Sequence, residues 1–265
     1  MQTSADRILT THTGSIARPD DLVELMRAKE NGRPYDPEAF EARAAAAVEE
    51  CVRRQVEAGL DVINDGEQRK SGFTTYLTER LAGFDAVPYA PGESASHWRE
   101  VDEFPEYYER YFKTAMFGAM LSPPTRLVCR GPVKYVGQEA LAIDIANLRA
   151  ALAGKAYTEV FMSAALPTAL AQHDNEYYSS REEFVTALAE ATREEYQAII
   201  DAGFLIQLDG PLLRPVRLPA RGAPDAGGVR RFRGRAARRP IRESALPVLT
   251  VRARGHTTKI DSYVS

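Results

Sequence analysis

The sequence contains little cysteine and no long apolar run. Cys51 and Cys129 are its only cysteines among 265 residues, too few for a disulfide framework, so we expect packed thiols in a reducing cytoplasm. No segment approaches the roughly 18 consecutive apolar residues of a membrane span. The polar amino-terminal segment also lacks the apolar core of a signal peptide. These absences predict a cytoplasmic protein with no membrane partner.

Charge is distributed unevenly along the chain. Residues 212–265 hold 12 arginines, one lysine and three acidic residues, a balance of +10, whereas the 21 basic and 34 acidic residues of 1–211 give −13. The 212–265 segment shows no helical or strand periodicity. A disordered tail and a nucleic-acid-binding arm both fit this composition, but aromatic residues for base stacking are scarce, which disfavours nucleic acid. We favour a third interpretation, a GC-rich coding segment translated out of frame.

Short apolar strands alternate with helices through residues 1–211. Strands are predicted at 7–15, 60–67, 126–137, 157–165 and 204–211. The clearest helices are predicted at 36–58 and at 180–202, and YLTERLAGF (76–84) is predicted to be helical as well. This order, without hairpin signals, predicts a parallel α/β fold. Because no G-x-G-x-x-G follows the first strand, a (β/α)8 TIM barrel is favoured over a doubly wound sheet.

Each predicted strand ends in a polar or glycine-rich turn, and a barrel places all such turns on one ligand-binding face. Gly14 and Ser15 end the first strand, Glu67 the second and Asp209 the fifth. We therefore expect these four residues to lie around one site.

Four segments occur in an order that resembles one enzyme family. They are RILTTHTGSIARP, RRQVEAGLDVINDGEQRKSGFTTYL, CRGPVKYVG and EEYQAIIDAGFLIQLDGP. Together they resemble the cobalamin-independent methionine synthase family, in particular its shorter single-barrel members, over nearly all of 1–211. The resemblance implies a partial TIM-barrel catalytic domain at 1–211, with the first five βα units intact, followed by an irregular tail at 212–265. Other barrels, such as uroporphyrinogen decarboxylase, share the architecture without this chemistry.

The implied activity is zinc-dependent transfer of a methyl group from a methyl-folate to the thiol of homocysteine. By resemblance, Glu67 and Asp209 bind the substrate ammonium, while Gly14 and Ser15 hold its carboxylate. The expected partners are therefore a small-molecule thiol and a methyl or alkyl donor, since some relatives alkylate other thiols.

Structural roles are open for the two acids. For Glu67 the alternatives are pairing with Arg69 or Lys70, or capping the helix that follows, and a site role is favoured because strand-end acids in barrels are commonly site residues. Asp209 is a suitable turn residue, and Gly210 stands where relatives usually carry a second acid.

Weaker candidates lie on the same predicted strands. His12 could reach the barrel mouth, and Arg130 could face a folate tail or another anion. Glu159 is an acid within a strand and needs a partner or a ligand. Cys129 lacks the spaced His or Cys of a zinc site.

The zinc ligands of the family are a His-x-Cys pair, a glutamate and a later cysteine, from strands six to eight. None can be found after Asp209, because His256 is followed by Thr-Thr-Lys and no cysteine follows Cys129. We therefore expect zinc for the family but no metal ligands in this chain, which would be truncated or frameshifted after about residue 211 and inactive. Its catalytic residues stay unassigned. The alternatives are a non-catalytic barrel fragment that binds an amino acid or thiol, and a related alkyl-thiol transferase.

Overall fold

The computed structural model describes residues 2, 4–72, 75–88, 103–111, 125–171 and 173–209, which form a mixed α/β fold. The helices are α1 (Asp20–Glu30), α2 (Pro37–Glu57), α3 (Pro105–Tyr111), α4 (Gln138–Leu152), α5 (Pro167–Leu170) and α6 (Arg181–Asp201), and a 3-10 helix spans Thr75–Glu79. The strands are β1 (Val62–Asn64), β2 (Leu81–Pro88), β3 (Thr125–Tyr135), β4 (Glu159–Ala165), β5 (Asp174–Asn175) and β6 (Leu205–Asp209). Within these residues no helix is both long and apolar enough to cross a membrane. The predictions for the tail at 212–265 lie outside the described residues.

A parallel sheet of β1, β4 and β6 carries the predicted strand–helix alternation. β4 lies in the centre and pairs in parallel with both neighbours. Thr11 lies beside β1 at the edge of this sheet and forms a single parallel bridge to Val62. From Val160 to Ala165 every residue of β4 is buried, which explains its continuous apolar sequence, since a parallel strand is covered on both faces. The parallel arrangement predicted for these strands is confirmed.

The prediction that 126–137 forms the third parallel strand is wrong. β1 pairs directly with β4, whereas β3 pairs antiparallel with β2 and parallel with β5 in a second sheet. The predicted helix over YLTERLAGF is also wrong, because the 3-10 helix ends at Glu79 and β2 begins at Leu81. β2 is a strand because it pairs with β3, for example Val87 with Arg126. Such long-range contacts leave no periodic pattern in the local sequence. The described strands do not form five consecutive parallel units or a closed barrel.

The parallel sheet is covered on both faces by apolar side chains. Ile63 and Met162 belong to a large buried cluster with Leu188 and Ile199 of α6. Val62, Phe161 and Leu205, one from each strand, form a second cluster with Leu9. Because successive strand residues point to opposite faces, this second cluster lies on the face turned away from the helices.

Polar side chains fix the starts of the two longest helices. Asp36 accepts hydrogen bonds from the N–H groups of Glu38 and Ala39 at the start of α2. Ser180 accepts from the N–H of Glu183 at 3.1 Å at the start of α6, as the capping-box pattern predicts. The Glu183 carboxylate accepts from the N–H of Ser179, one residue earlier than expected. The predicted helices at 36–58 and 180–202 are confirmed.

A buried ion-pair network anchors the segment that follows β1. Arg80, only 3% exposed, donates to Asp144 of α4 and, at 3.1 Å, to Glu195 of α6. Arg69 donates to Asp144 at 3.1 Å and to Glu41 of α2 at 2.6 Å. Charges buried this deeply persist only when they are paired. The network therefore holds Arg69 and Arg80, on either side of the 3-10 helix, against three helices.

Candidate active site

A strained turn after β1 positions the predicted carboxylate. The Oδ1 atom of Asn64 accepts from the N–H of Gly66 at 2.7 Å, and the Oδ1 atom of Asp65 accepts from the N–H of Glu67 at 3.0 Å. Gly66 has a φ of 63°, and Glu67, at 56°, is the one non-glycine residue with positive φ in the described part of the chain. Arg18 donates to the Glu67 carbonyl at 2.8 Å. Such strain is typical of functional sites, where neighbouring structure must enforce it.

Two hydroxyl groups hold the buried carboxylate of Glu67. Ser15 donates to Oε2 at 2.5 Å, and Ser163 of β4 donates to Oε1 at 3.1 Å. Gly14, directly before Ser15, has a φ of 87°. The structure thus brings the first and second strand ends together, although the Ser15 proton is directed to Glu67 rather than kept for a substrate. The substrate-binding roles of Gly14, Ser15 and Glu67 stay predictions.

Sequence reasoning missed Ser163 as a site residue. The signal that could have found it is a lone hydroxyl in the otherwise apolar run VFMSAA that follows Glu159, since a buried hydroxyl needs a hydrogen-bonding partner.

Lys70 is buried, but it does not pair with Glu67 as the structural alternative proposed. Its Nζ donates to the Ser163 carbonyl oxygen and, at 3.3 Å, to Ser163 Oγ, and it lies 4.8 Å from the centre of the Tyr76 ring. An ammonium group only donates. Ser163 Oγ therefore accepts from Lys70 and directs its own proton to Glu67. Arg69 does not pair with Glu67 either, because it contacts Glu41 and Asp144.

Asp209 ends β6 beside the same group of residues. Its carbonyl accepts from the N–H of Leu166 at 3.0 Å, which links the ends of β4 and β6. Burial raises the pKa of Asp209 above its ordinary value of 3.8, the negative charge of Glu67 raises it further, and Lys70 opposes both. Two nearby carboxylates prefer to share one positive charge or one proton.

These side chains surround one cleft at the carboxyl ends of the parallel strands. It is open to solvent and is lined by Glu67, Lys70, Tyr76, Ser163, Ala164, Ala165 and Asp209. The Ala165 N–H donates to the Tyr76 hydroxyl at 3.1 Å, and the Tyr196 hydroxyl donates to the Ala165 carbonyl at 2.5 Å. The end of β4 is therefore fixed while the carboxylates face the cleft. A small ligand with an ammonium group matches this charge.

Two of the weaker candidates lie in the second sheet. Arg130 pairs with Glu176 at 2.8 Å and with Asp85 at 3.5 Å on the surface. The buried Cys129 thiol donates to the Gly131 carbonyl at 3.4 Å, and burial raises its pKa. Neither residue lines the cleft.

The other two weaker candidates lie on or beside the parallel sheet. The carbonyl of His12 accepts from the Asn64 side-chain amide at 3.2 Å, while its buried Nε2 has no partner among the described residues. Glu159 begins β4, at the strand end opposite the cleft, and its Oε1 atom accepts from the N–H of Gln2. Neither residue lines the cleft.

The described residues do not fit a zinc ion. Among them, no group of three or more His, Cys, Asp or Glu side chains is arranged to hold a metal. Both cysteines are buried, and burial raises the pKa of Cys51 to about 11. A metal-binding thiolate needs the opposite environment.

Comparison with known proteins supports the resemblance. The chain is 26% identical over 206 residues to the methionine synthase of Sulfolobus acidocaldarius, and 28% identical over 209 residues to that of Saccharolobus islandicus. These matches cover 77% and 78% of the chain. The sequence is thus similar to methionine synthases over more than three quarters of its length. No protein-family model matches it.

Solved structures of cobalamin-independent methionine synthases share the fold. The enzyme from Shewanella sp. W3-18-1, in complex with selenomethionine, matches with a TM-score of 0.53 and 22% identity over 76% of this chain and 51% of that one. A putative enzyme from Listeria monocytogenes matches with a TM-score of 0.52 and 21% identity over 77% of this chain and 54% of that one. The chain also spans about half the length of its curated relatives, 52% and 54% for the two named above.

Proposed function

We propose that the cleft binds the amino-acid end of a thiol substrate such as homocysteine, and that the chain serves methyl transfer from a methyl-folate to that thiol. The observation that carries the proposal is the convergence of Glu67 and Asp209 on one small cleft. The two acids come from the ends of different strands, β1 and β6, where parallel α/β folds bind ligands. The named activity of the relatives supports it independently.

In this proposal the carboxylates bind and orient the substrate ammonium. Glu67 keeps a fixed direction because each of its oxygens accepts one hydroxyl proton, which leaves further lone pairs for a ligand. In the overall reaction the sulfur–methyl bond forms as the nitrogen–methyl bond of the folate breaks, and the thiol proton ends on that nitrogen. A correctly oriented sulfur is what the cleft contributes, since holding reactants in attack geometry lowers the barrier.

We further propose that the described parallel strands are the start of a (β/α)8 barrel. Thr11, β1, β4 and β6 are then its first four strands in order, and β2 and β3 form an excursion between the second and the third. This replaces the five units predicted from the sequence with four.

Binding calorimetry tests the amino-acid site. We expect homocysteine and methionine to bind the chain, and Glu67→Gln to lower both affinities by about tenfold, the loss of a charge-assisted hydrogen bond. Glu49→Gln, an exposed position on α2, is the matched control and should bind normally. Equal affinity of the Glu67→Gln variant and the unchanged chain would refute the proposal.

Zinc is proposed for the family, yet the donors for it are not among the described residues. Zinc titration of the purified chain is expected to give no tight stoichiometric binding. One tightly bound zinc per chain would overturn that expectation and place the ligands outside the described residues.

A second candidate function is amino-acid or thiol binding without turnover, and the same shortage of metal-donor clusters favours it. Turnover of homocysteine with a methyl-folate separates the two functions. Product formation would exclude the binder, whereas tight binding without product would favour it. Turnover of other thiols with alkyl donors would instead identify a related alkyl-thiol transferase.

A further inference from the structure

Lys70 is a buried cation to which the site described so far gives no ligand. It is 4% exposed and lines the same cleft as Glu67 and Asp209. An ammonium group has three N–H donors. Two of them contact the carbonyl and hydroxyl oxygens of Ser163. Among the described residues no carboxylate oxygen lies within the 4.0 Å of an ion pair with Nζ, although the Lys70 charge acts at longer range on Asp65 and Asp209. One N–H donor therefore has no contact among the described residues.

The cleft therefore presents charges of both signs at short range. Glu67 and Asp209 supply two carboxylates, and Lys70 supplies the single ammonium among its lining residues. An α-amino acid carries a matching pair, an ammonium and a carboxylate on one carbon. The hydroxyl of Ser15 is a poor donor for that carboxylate here, because its proton is directed to Glu67.

We infer that Lys70 is a specificity-determining residue that binds the carboxylate of an α-amino-acid substrate, so that the cleft recognises the zwitterion rather than an amine alone. The inference rests on the proposed amino-acid site and adds to it the group that binds the carboxylate of the amino acid. Ser163 accepts from the lysine ammonium through two oxygens, and the Tyr76 ring lies 4.8 Å from its Nζ. Because these contacts preorganise the ammonium, little side-chain entropy is lost when a ligand binds.

Three ligands that differ by one charged group test this assignment by calorimetry. Methionine carries both charges, 3-(methylthio)propylamine lacks the carboxylate, and 4-(methylthio)butanoate lacks the ammonium. In Lys70→Met we expect methionine to bind about tenfold more weakly, with the affinity for the amine retained. Lys70→Arg should keep most of the methionine affinity. Lys134→Met, an exposed position on β3, is the matched control and should bind all three ligands normally.

The results separate this inference from the proposed function. If methionine affinity is lost in Glu67→Gln but unchanged in Lys70→Met, the amino-acid site stands and the role of Lys70 is wrong. An equal loss of methionine and amine in a folded Lys70→Met variant also overturns it, because Lys70 then acts only through Glu67. Should Lys70→Met fail to fold by circular dichroism, Lys70→Gln gives the same comparison, since its amide still donates to Ser163. If methionine does not bind the unchanged chain, the proposed function itself fails.

Discussion

The hydroxyl of Ser15 and the carboxylate of Glu67 lie 52 positions apart in the chain and are joined by a 2.5 Å hydrogen bond. This bond links the turn after the first predicted strand to the turn after β1. It also determines which lone pairs of Glu67 remain for a ligand. The site is thus assembled between strand ends, not within one motif.

Removal of the Ser15 hydroxyl tests this link. In Ser15→Ala, Glu67 loses one of its two orienting donors, so we expect methionine affinity to fall about fivefold, the worth of one hydrogen bond of about 1 kcal/mol. Calorimetry measures the change. Ser4→Ala, which removes a hydroxyl that accepts from the N–H of Leu9, serves as the control. Unchanged affinity in Ser15→Ala would mean that Ser163 alone orients Glu67.

The raised pKa of Asp209 predicts an acid limb in ligand binding. Burial and the charge of Glu67 raise this pKa above 3.8, and Lys70 opposes them. Binding of an ammonium needs the ionised carboxylate, so methionine affinity should fall as the pH drops through the raised value. Asp209→Asn should lower the affinity at neutral pH and move the remaining acid limb to lower pH. An unmoved acid limb would assign the titration to another group.

The raised pKa of Asp209 affects folding stability in the opposite direction to ligand binding. A carboxyl with a raised pKa prefers to be protonated in the folded chain. The contribution of Asp209 to stability is therefore largest below the unfolded pKa and declines as the pH rises through the folded one. Urea unfolding at neutral pH should consequently find Asp209→Asn at least as stable as the unchanged chain.

The ion pairs of Arg80 predict a large stability effect. In Arg80→Met, Asp144 keeps Arg69, but Glu195 loses its described cation while it stays 1% exposed. An uncompensated buried charge costs about 3–5 kcal/mol, which urea unfolding can measure. Arg53→Met breaks an exposed ion pair with Glu57, one helical turn away, and should change stability little. Similar values for the two variants would contradict the assigned role of the buried network.

A close approach of β2 to β3 predicts a difference between two glycines. A Cβ atom on Gly83, which has a φ of 99°, would lie 2.8 Å from the carbonyl oxygens of Gly131 and Pro132. Gly154 also has a positive φ, of 71°, but an added Cβ would meet nothing within 4 Å. Gly154→Ala should cost about 1 kcal/mol through backbone strain alone. Thermal unfolding should show a clearly larger loss of stability for Gly83→Ala. Equal losses for the two variants would mean that the close approach of β2 to β3 does not limit the side chain at residue 83.

Local sequence signals predicted the helices and the parallel strands well. Ser180 with Glu183 and the long apolar periodicity before Gly203 define α6 within one residue at each end. Signals of this kind act within one helical turn, so no tertiary contact is needed to recognise them. The second sheet was mistaken because β2 becomes a strand only by pairing with β3, and the local sequence of β3 does not reveal which strand it pairs with.

The sequence by itself predicted the resemblance to methionine synthases, the parallel direction of β1, β4 and β6, and the two acids at strand ends, since apolar periodicity and terminal turns are local properties of the chain. Only the tertiary structure decided the partners of those acids. Ser163 reaches Glu67 from 96 positions away and also accepts from Lys70, because parallel strands bring their carboxyl ends to one edge of the sheet. Burial at that edge then raises the pKa of Asp209, which no local pattern encodes.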